Sequence, residues 1–268
     1  TRKRGSDSPV YLSISRFDYT KCYMNPIILI KLIAAHLAGD FILQSDRMCA
    51  DKFSCDSFTK YMALASHALI QAALAYVFVS QWSNWVVPLI IGISHFAIDW
   101  IKTMCKDRNL ISFVWDQFAQ LSVITGLWWF TFVGMPQPDM ACEILSVSFW
   151  LIATAYLSVL APASILIKSF IEYEKWMPAD SVAQGLPNAG KWIGYLERIL
   201  ILTFIFTGNI EGIGFLLAAK SVFRFGELNK AKDIKITEYV LIGTFASFTI
   251  AILIGFGVKW LVGMNFEA

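Results

Sequence analysis

Apolar runs of roughly bilayer length recur along this chain. Residues 26–44, 61–80, 85–101, 113–133, 144–170, 192–207, 210–225 and 239–262 are each predominantly apolar. A helix needs about 20 such residues to cross the hydrocarbon core of a membrane. The pattern predicts an all-α fold, a polytopic transmembrane helical bundle of about eight spans. The count falls to six if the short runs 192–207 and 210–225 form a re-entrant pair instead of crossing with tilt or local thinning. Pro162 predicts a kink in the fifth run. Composition agrees: 57% of residues are hydrophobic and 16% charged, where soluble domains carry about 25% charged residues.

Turn chemistry at Gly134-Met-Pro-Gln-Pro-Asp139 divides the spans. Residues 24–133 read as a four-helix transmembrane domain and 134–268 as a C-terminal transmembrane domain of about four helices. Residues 1–23 are polar and basic, and read either as a non-native extension before Met24 or as a genuine basic tail.

The loops alternate in charge. Lys and Arg number three in 45–60, three in 102–112, three in 168–191 and five in 220–237, with none in 81–84, 134–143 or 208–209. The positive-inside rule places the basic loops in the cytoplasm. Both termini then lie outside, which the basic residues of the 1–23 stretch contradict.

The chain has three histidines, and all lie in apolar runs. Two open near-copies of one phrase: His36-Leu-Ala-Gly-Asp40-Phe-Ile and His95-Phe-Ala-Ile-Asp99-Trp-Ile. Residues four apart share a helix face, so each phrase projects an imidazole and a carboxylate together. This is an internal helix-hairpin repeat in the first half. Counting inward at 1.5 Å per residue, His36, His67, His95 and Gln120 lie about 10–13 Å from the cytoplasmic ends, and Asp40, Asp99 and Asp116 about 5–8 Å. The expectation is convergence on one point. His36, His67, His95, Asp40 and Asp99 are candidate ligands for a divalent transition metal, Zn or Mn first. Asp40, Asp99 and Asp116 are the candidate catalytic carboxylates, or partners that orient the imidazoles. The competing reading is structural: a His and an Asp can hydrogen-bond each other simply to hold a bundle together.

Other polar residues have plainer readings. Glu197 and Arg198 are adjacent and face about 100° apart on a helix. They are expected in structural ion pairing, Glu197 with Arg224 or with the His/Asp site. Lys220 and Arg224, one turn apart, fit either a lipid phosphate or positive-inside anchoring. No cysteine pair has metal-ribbon spacing, so the five cysteines read as free thiols. No nucleotide-binding or nucleic-acid-binding motif is present.

The phrases His36-Leu-Ala-Gly-Asp40-Phe-Ile-Leu-Gln44, Lys52, His67-Ala-Leu, His95-Phe-Ala-Ile-Asp99-Trp-Ile-Lys102 and Asp116-Gln117 resemble an uncharacterised family of bacterial polytopic membrane proteins, a domain of unknown function. That family is marked by HLxxDFxLQ, HFxxDxxK and DQxxH. The 190–198, 214–225 and 238–244 stretches are similar to its longer members. One departure is Gln120, which stands where the family pattern has a fourth histidine. The resemblance implies a multi-pass protein of the cell inner membrane. A more distant likeness, to membrane-bound metal-dependent hydrolases of bacteria, implies action on lipids.

Three functions compete. The first is a metal-dependent hydrolase-like enzyme acting on a lipid or membrane-accessible phosphoester. The second is an ion or proton transporter or channel lined by the same cluster. The third is a membrane subunit or effector of a larger assembly. Expected partners are membrane lipids, with a homo-oligomer or a cytoplasmic protein as further candidates.

Overall fold

The computed structural model describes residues 26–104, 110–132, 140–173, 188–225 and 231–263. Among them every regular element is helical. α1 (Pro26–Ala38) continues through a π-helical turn (Gly39–Leu43). It is followed by α2 (Asp46–Asp51), α3 (Ser57–Val79), α4 (Val86–Met104), α5 (Leu110–Phe132) and α6 (Met140–Val159). The remainder is α7 (Ala161–Tyr173), α8 (Ala189–Thr207), α9 (Glu211–Phe225) and α10 (Ala231–Leu261). The chain is an all-α multi-pass membrane bundle. Six stretches are long and apolar enough to cross a bilayer: Pro26–Leu43, Ser57–Val79, Val86–Met104, Leu110–Phe132, Val147–Glu172 and Glu238–Leu261. The 1–23 extension lies outside the described residues.

Local chemistry sets the helix ends. Ser45 caps α2 by accepting from the Met48 amide, and Asp56 caps α3 by accepting from the Thr59 amide. Ser80 and Gly208 end α3 and α8 in the left-handed region, where glycine pays no Cβ penalty. α2 was not expected from the apolar pattern, because it is only six residues long and half of them are charged.

The long fifth run is two helices. α6 ends at Val159 and α7 begins at Ala161, one residue before Pro162. Proline has no N–H for the helical ladder and crowds the preceding turn. At the break the guanidinium of Arg198 reaches from α8 to the carbonyls of Val159 and Leu160, the latter also accepting from the Ser164 amide.

α8 and α9 fall outside the six spans. α8 carries Lys191, Glu197 and Arg198, and α9 has 15 residues. α8 nevertheless packs along α10. Arg198 meets Ser247, while Ile205 packs at Gly255 and accepts from Lys259. α8 and α10 therefore ascend together. α9 runs back along α8, with Gly212 against Phe204 and Lys220 against Glu197. The two form an antiparallel helical hairpin.

The first four spans are zoned along their length. One dry core joins Ile28 and Leu32 of α1, Ala75 and Val79 of α3, Val87 and Ile91 of α4, and Ile124 and Phe132 of α5. These are the start of α1, the end of α3, the start of α4 and the end of α5. The opposite ends of the same helices carry the His and Asp residues. α6 packs on α1 and α3, with Trp150 against Phe78 at 5.1 Å between ring centroids and under the Lys31 ammonium. A second dry core unites Val159, Ile201, Ile205, Phe248 and Ala251.

Candidate metal centre

The repeated His-x-x-x-Asp phrase does not fold the same way twice. In α4 it is regular helix. In the first copy Gly39–Leu43 forms a π turn, which inserts an extra residue per turn and re-aims the side chains beyond it. Asp40 is thereby carried from the expected carboxylate tier into the imidazole tier. Its Oδ1 lies 3.1 Å from His67 Nε2, 3.2 Å from His95 Nε2 and 2.5 Å from Gln71 Nε2. Its Oδ2 lies 3.0 Å from Gln117 Nε2 and 3.8 Å from His36 Nε2. The ring of His95 stands 5.4 Å from that of His36 and 5.2 Å from that of His67, centroid to centroid. All three imidazoles are buried.

Gly39 makes this packing possible. A Cβ there would fall on the carboxamide of Gln71, which also donates to the His36 carbonyl at 3.3 Å. Neither Gln71 nor Gln117 was a site residue on spacing alone, although both lie in apolar helices within four residues of an expected one. Gln117 reads against His36 as well, its Oε1 being 3.3 Å from Nε2.

The other two carboxylates stand apart and are already paired. Asp99 accepts from Lys52, which reaches in from the end of α2. Asp116 accepts from Lys102 at 2.5 Å. With its carboxamide turned to match its neighbours, Gln44 accepts from Lys52 at 2.5 Å and donates to the Asp40 carbonyl at 3.2 Å. Asp99 Oδ2 keeps one link to the centre, 3.8 Å from His67 Nε2. Asp116, expected as a catalytic carboxylate, touches none of the three imidazoles among the described contacts. Lys52 and Lys102 were legible only as members of the family-like phrases.

Two features make the cluster a candidate cation site. Three nitrogens lie within 3.2 Å of Asp40 Oδ1, and one carboxylate oxygen has about two lone pairs to offer. Ligand atoms of His36, Asp40 and His95 also lie within 4.8 Å of one another. Around a metal at about 2.1 Å, tetrahedral ligands are about 3.4 Å apart; the imidazole–Asp40 distances of 3.1, 3.2 and 3.8 Å straddle that value. Charge agrees. Among the described residues, the ammonium groups paired with these carboxylates are those of Lys52 on Asp99 and Lys102 on Asp116, so with neutral imidazoles the three carboxylates and two ammonium groups sum to one unit negative. Among the described residues, four buried side-chain atoms have no hydrogen-bond partner: His36 Nδ1, His67 Nδ1, Asp116 Oδ1 and Gln120 Nε2.

The second-half residues form a separate group. Glu197 pairs with Lys220 at 2.6 Å; the side chain of Arg224 lies outside the described ones. Lys220, expected as a lipid-phosphate contact, is thus committed to a carboxylate. Arg198 is not in an ion pair with Glu197. It donates to Val159, Leu160, Ser164 (2.5 Å) and Ser247 (2.9 Å).

A protein family described as "Protein of unknown function (DUF3307)" matches residues 28–147. The match holds every residue of the His/Asp cluster and ends within α6. No curated protein and no solved structure matches the chain.

Proposed function

We propose that the protein is a metal-dependent, hydrolase-like enzyme of the cell inner membrane, acting on a lipid or membrane-accessible phosphoester. The observation that carries this is the convergence of His36, His95 and Asp40 ligand atoms within 4.8 Å. Three protein ligands leave a fourth position open, the arrangement of catalytic rather than structural sites. A divalent Zn or Mn there would lower the pKa of a bound water toward neutrality. His67, between Asp40 Oδ1 and Asp99 Oδ2, is placed to take the proton that the water loses. Gln71 and Gln117 hold the Asp40 carboxylate in place. A divalent ion reverses the cluster's charge from one unit negative to one unit positive, which suits an anionic phosphoester. Ile42 and Leu43, shortly after Asp40, are exposed on the span's surface, so the turn bearing Asp40 borders lipid and favours sideways entry.

The test is metal content and turnover on protein purified in detergent. About one equivalent of Zn or Mn is expected per chain, falling by at least tenfold in His36→Ala and His95→Ala. Hydrolysis of a lipid phosphoester should vanish with chelation and return with metal. Folded, metal-replete wild type that holds no transition metal would sink the reading.

A second reading is favoured by the four unpartnered buried polar atoms, which suit water in a polar interior. They support an ion or proton path through the same cluster. Metal-free wild type that shunts protons in vesicles, and loses this in Asp40→Asn, would establish that reading instead.

A further inference from the structure

His36 Nδ1, Asp116 Oδ1 and Gln120 Nε2 are buried without a hydrogen-bond partner among the described residues. His36 and Gln120 are 2% exposed and Asp116 8%. Helix stripes bring the three together. Ile28, Leu32 and His36 are buried at every fourth position of α1, and Asp116, Gln120 and Ile124 at every fourth position of α5, so each set shares a face. Ile28, Leu32 and Ile124 meet in one dry core. One step along from that core, Gln117 Oε1 lies 3.3 Å from His36 Nε2. The helices are therefore antiparallel, with His36 facing the turn of α5 between Asp116 and Gln120. Asp116 is near enough for its charge to act on the imidazole, although no direct hydrogen bond joins them among the described residues.

The three atoms are chemically complementary. When His36 offers Nε2 to a metal, the proton of the neutral ring sits on Nδ1, which becomes a donor. Metal-ligating imidazoles almost always give that N–H to a carboxylate, a backbone carbonyl or a water. Gln120 Nε2 is a second donor and Asp116 Oδ1 an acceptor. One water satisfies all three by accepting twice and donating once. Buried waters commonly make about three hydrogen bonds to groups that would otherwise go unsatisfied.

We infer that Asp116 is a positioning residue for His36, acting through one buried water that Gln120 shares. The inference rests on the metal-binding reading and extends it. The relay holds the proton on Nδ1 and so keeps the ring in the tautomer that leaves Nε2 for the metal. Lys102 takes the other carboxylate oxygen, Oδ2, at 2.5 Å, which leaves Oδ1 for the water. Asp40 and Asp116 then have different tasks: one carboxylate is a ligand, and the other orients a ligand.

The test uses full-length protein in detergent with Cu²⁺ as the probe, the divalent ion that such ligands bind most tightly. The copper counted is the equivalent that His36→Ala removes. Electron spin echo envelope modulation reports hydrogen bonding at the remote nitrogen of a copper-bound imidazole. Asp116→Ala and Gln120→Leu should each shift the remote-nitrogen frequencies and weaken Cu²⁺ binding by about 10–100-fold. The double variant should lose little more than the larger single loss, because both substitutions remove the same water. Folded variants with wild-type modulation overturn this inference and leave the metal reading standing, even where affinity falls, since packing alone would then explain the loss. Wild type that binds no Cu²⁺ overturns both. If neither variant folds, wild type decides: a crystal structure that resolves ordered water should place one within about 3.2 Å of all three atoms. Direct contacts among them, with no water between, then overturn the inference.

Discussion

Gln117 donates to Asp40 across the bundle, Nε2 to Oδ2 at 3.0 Å. The same carboxamide turns its oxygen toward His36 Nε2 at 3.3 Å. One side chain of α5 thereby fixes the Asp40 carboxylate and the His36 imidazole together. Partners that orient ligands commonly set metal affinity by about 10–100-fold. Gln117→Leu should weaken metal binding by about that factor with the helical content unchanged, as read by competition with a chromogenic chelator. Unaltered affinity would show that Gln117 merely packs.

Gly39 provides a test of the π turn. A methyl at this position competes for the space of the Gln71 carboxamide, which is a flexible side-chain end and will move. Gly39→Ala should therefore leave the protein folded but pull Gln71 away from Asp40 Oδ1. The expected loss is about 10–100-fold in metal affinity, close to that of Gln71→Ala alone. The double variant should cost little more than either single one, because both remove the same contact. Additive losses would separate the glycine from the glutamine.

The bundle and its polar tiers were legible for a physical reason. Period-3.6 spacing and uninterrupted apolar length carry helix, span and face together, so His36, His67 and His95 could be placed at one height from sequence. The spacing also put Asp40 beside Asp99 and Asp116 in a lower tier, and there it misled. A π turn adds one residue to a helix without a proline or a charge to announce it, and only the folded structure shows Asp40 among the imidazoles. Lys52 was hidden for a different reason. It belongs to a short polar loop, where a lysine ordinarily reads as a solvated, positive-inside charge, and nothing local signals that it turns inward. Arg198, expected in structural ion pairing, meets instead the carbonyls of Val159 and Leu160 and the hydroxyls of Ser164 and Ser247, partners that lie far off in sequence and leave no local signal.

Arg198 ties α8 to the break between α6 and α7. Its guanidinium reaches two backbone carbonyls and two hydroxyls at once. An ammonium is a point donor and cannot reproduce that fork. Arg198→Lys should leave at least one buried acceptor unsatisfied, at a cost of about 1–3 kcal/mol. Thermal unfolding in detergent should register this as a lower midpoint, with metal content unchanged because the first-half cluster is untouched. An unshifted midpoint would mean that the break at Leu160 holds without its cap.

Asp56 links pH to the start of α3. Its Oδ2 accepts from the Thr59 hydroxyl at 2.5 Å and the Thr59 amide at 3.0 Å, and these bonds hold its carboxyl below the usual carboxylate value. A group with a depressed folded value stabilises above its unfolded value, and that contribution is lost as pH falls through the folded value. Hydrogen exchange at the Thr59 amide should therefore lose protection on acidification below the ordinary Asp range. In Asp56→Asn the dependence should be flat over the same window. Equal profiles would remove the cap from the account.

The α8–α9 hairpin decides the number of crossings. Its helices are too charged or too short to read as spans by apolarity alone, yet Arg198 pairs in depth with Ser247 and Ile205 with Gly255. α10 is long and apolar enough to cross from Glu238 to Leu261, so α8, running beside it in the same direction, is expected to cross too, with α9 returning. The basic loops fix the sides: those containing Lys52, Lys106, Lys175 and Lys232 are expected in the cytoplasm, and the turn at Asn209 outside. In a cysteine-free background, a cysteine at Asn209 should react with an impermeant maleimide added to intact cells. Cysteines at the four lysine positions should react only after permeabilisation. If position 209 is also protected, α8 and α9 do not cross, and the bundle has six spans. Reaction from outside at two or more of the lysine positions would invert the protein and place the His/Asp cluster near the opposite face.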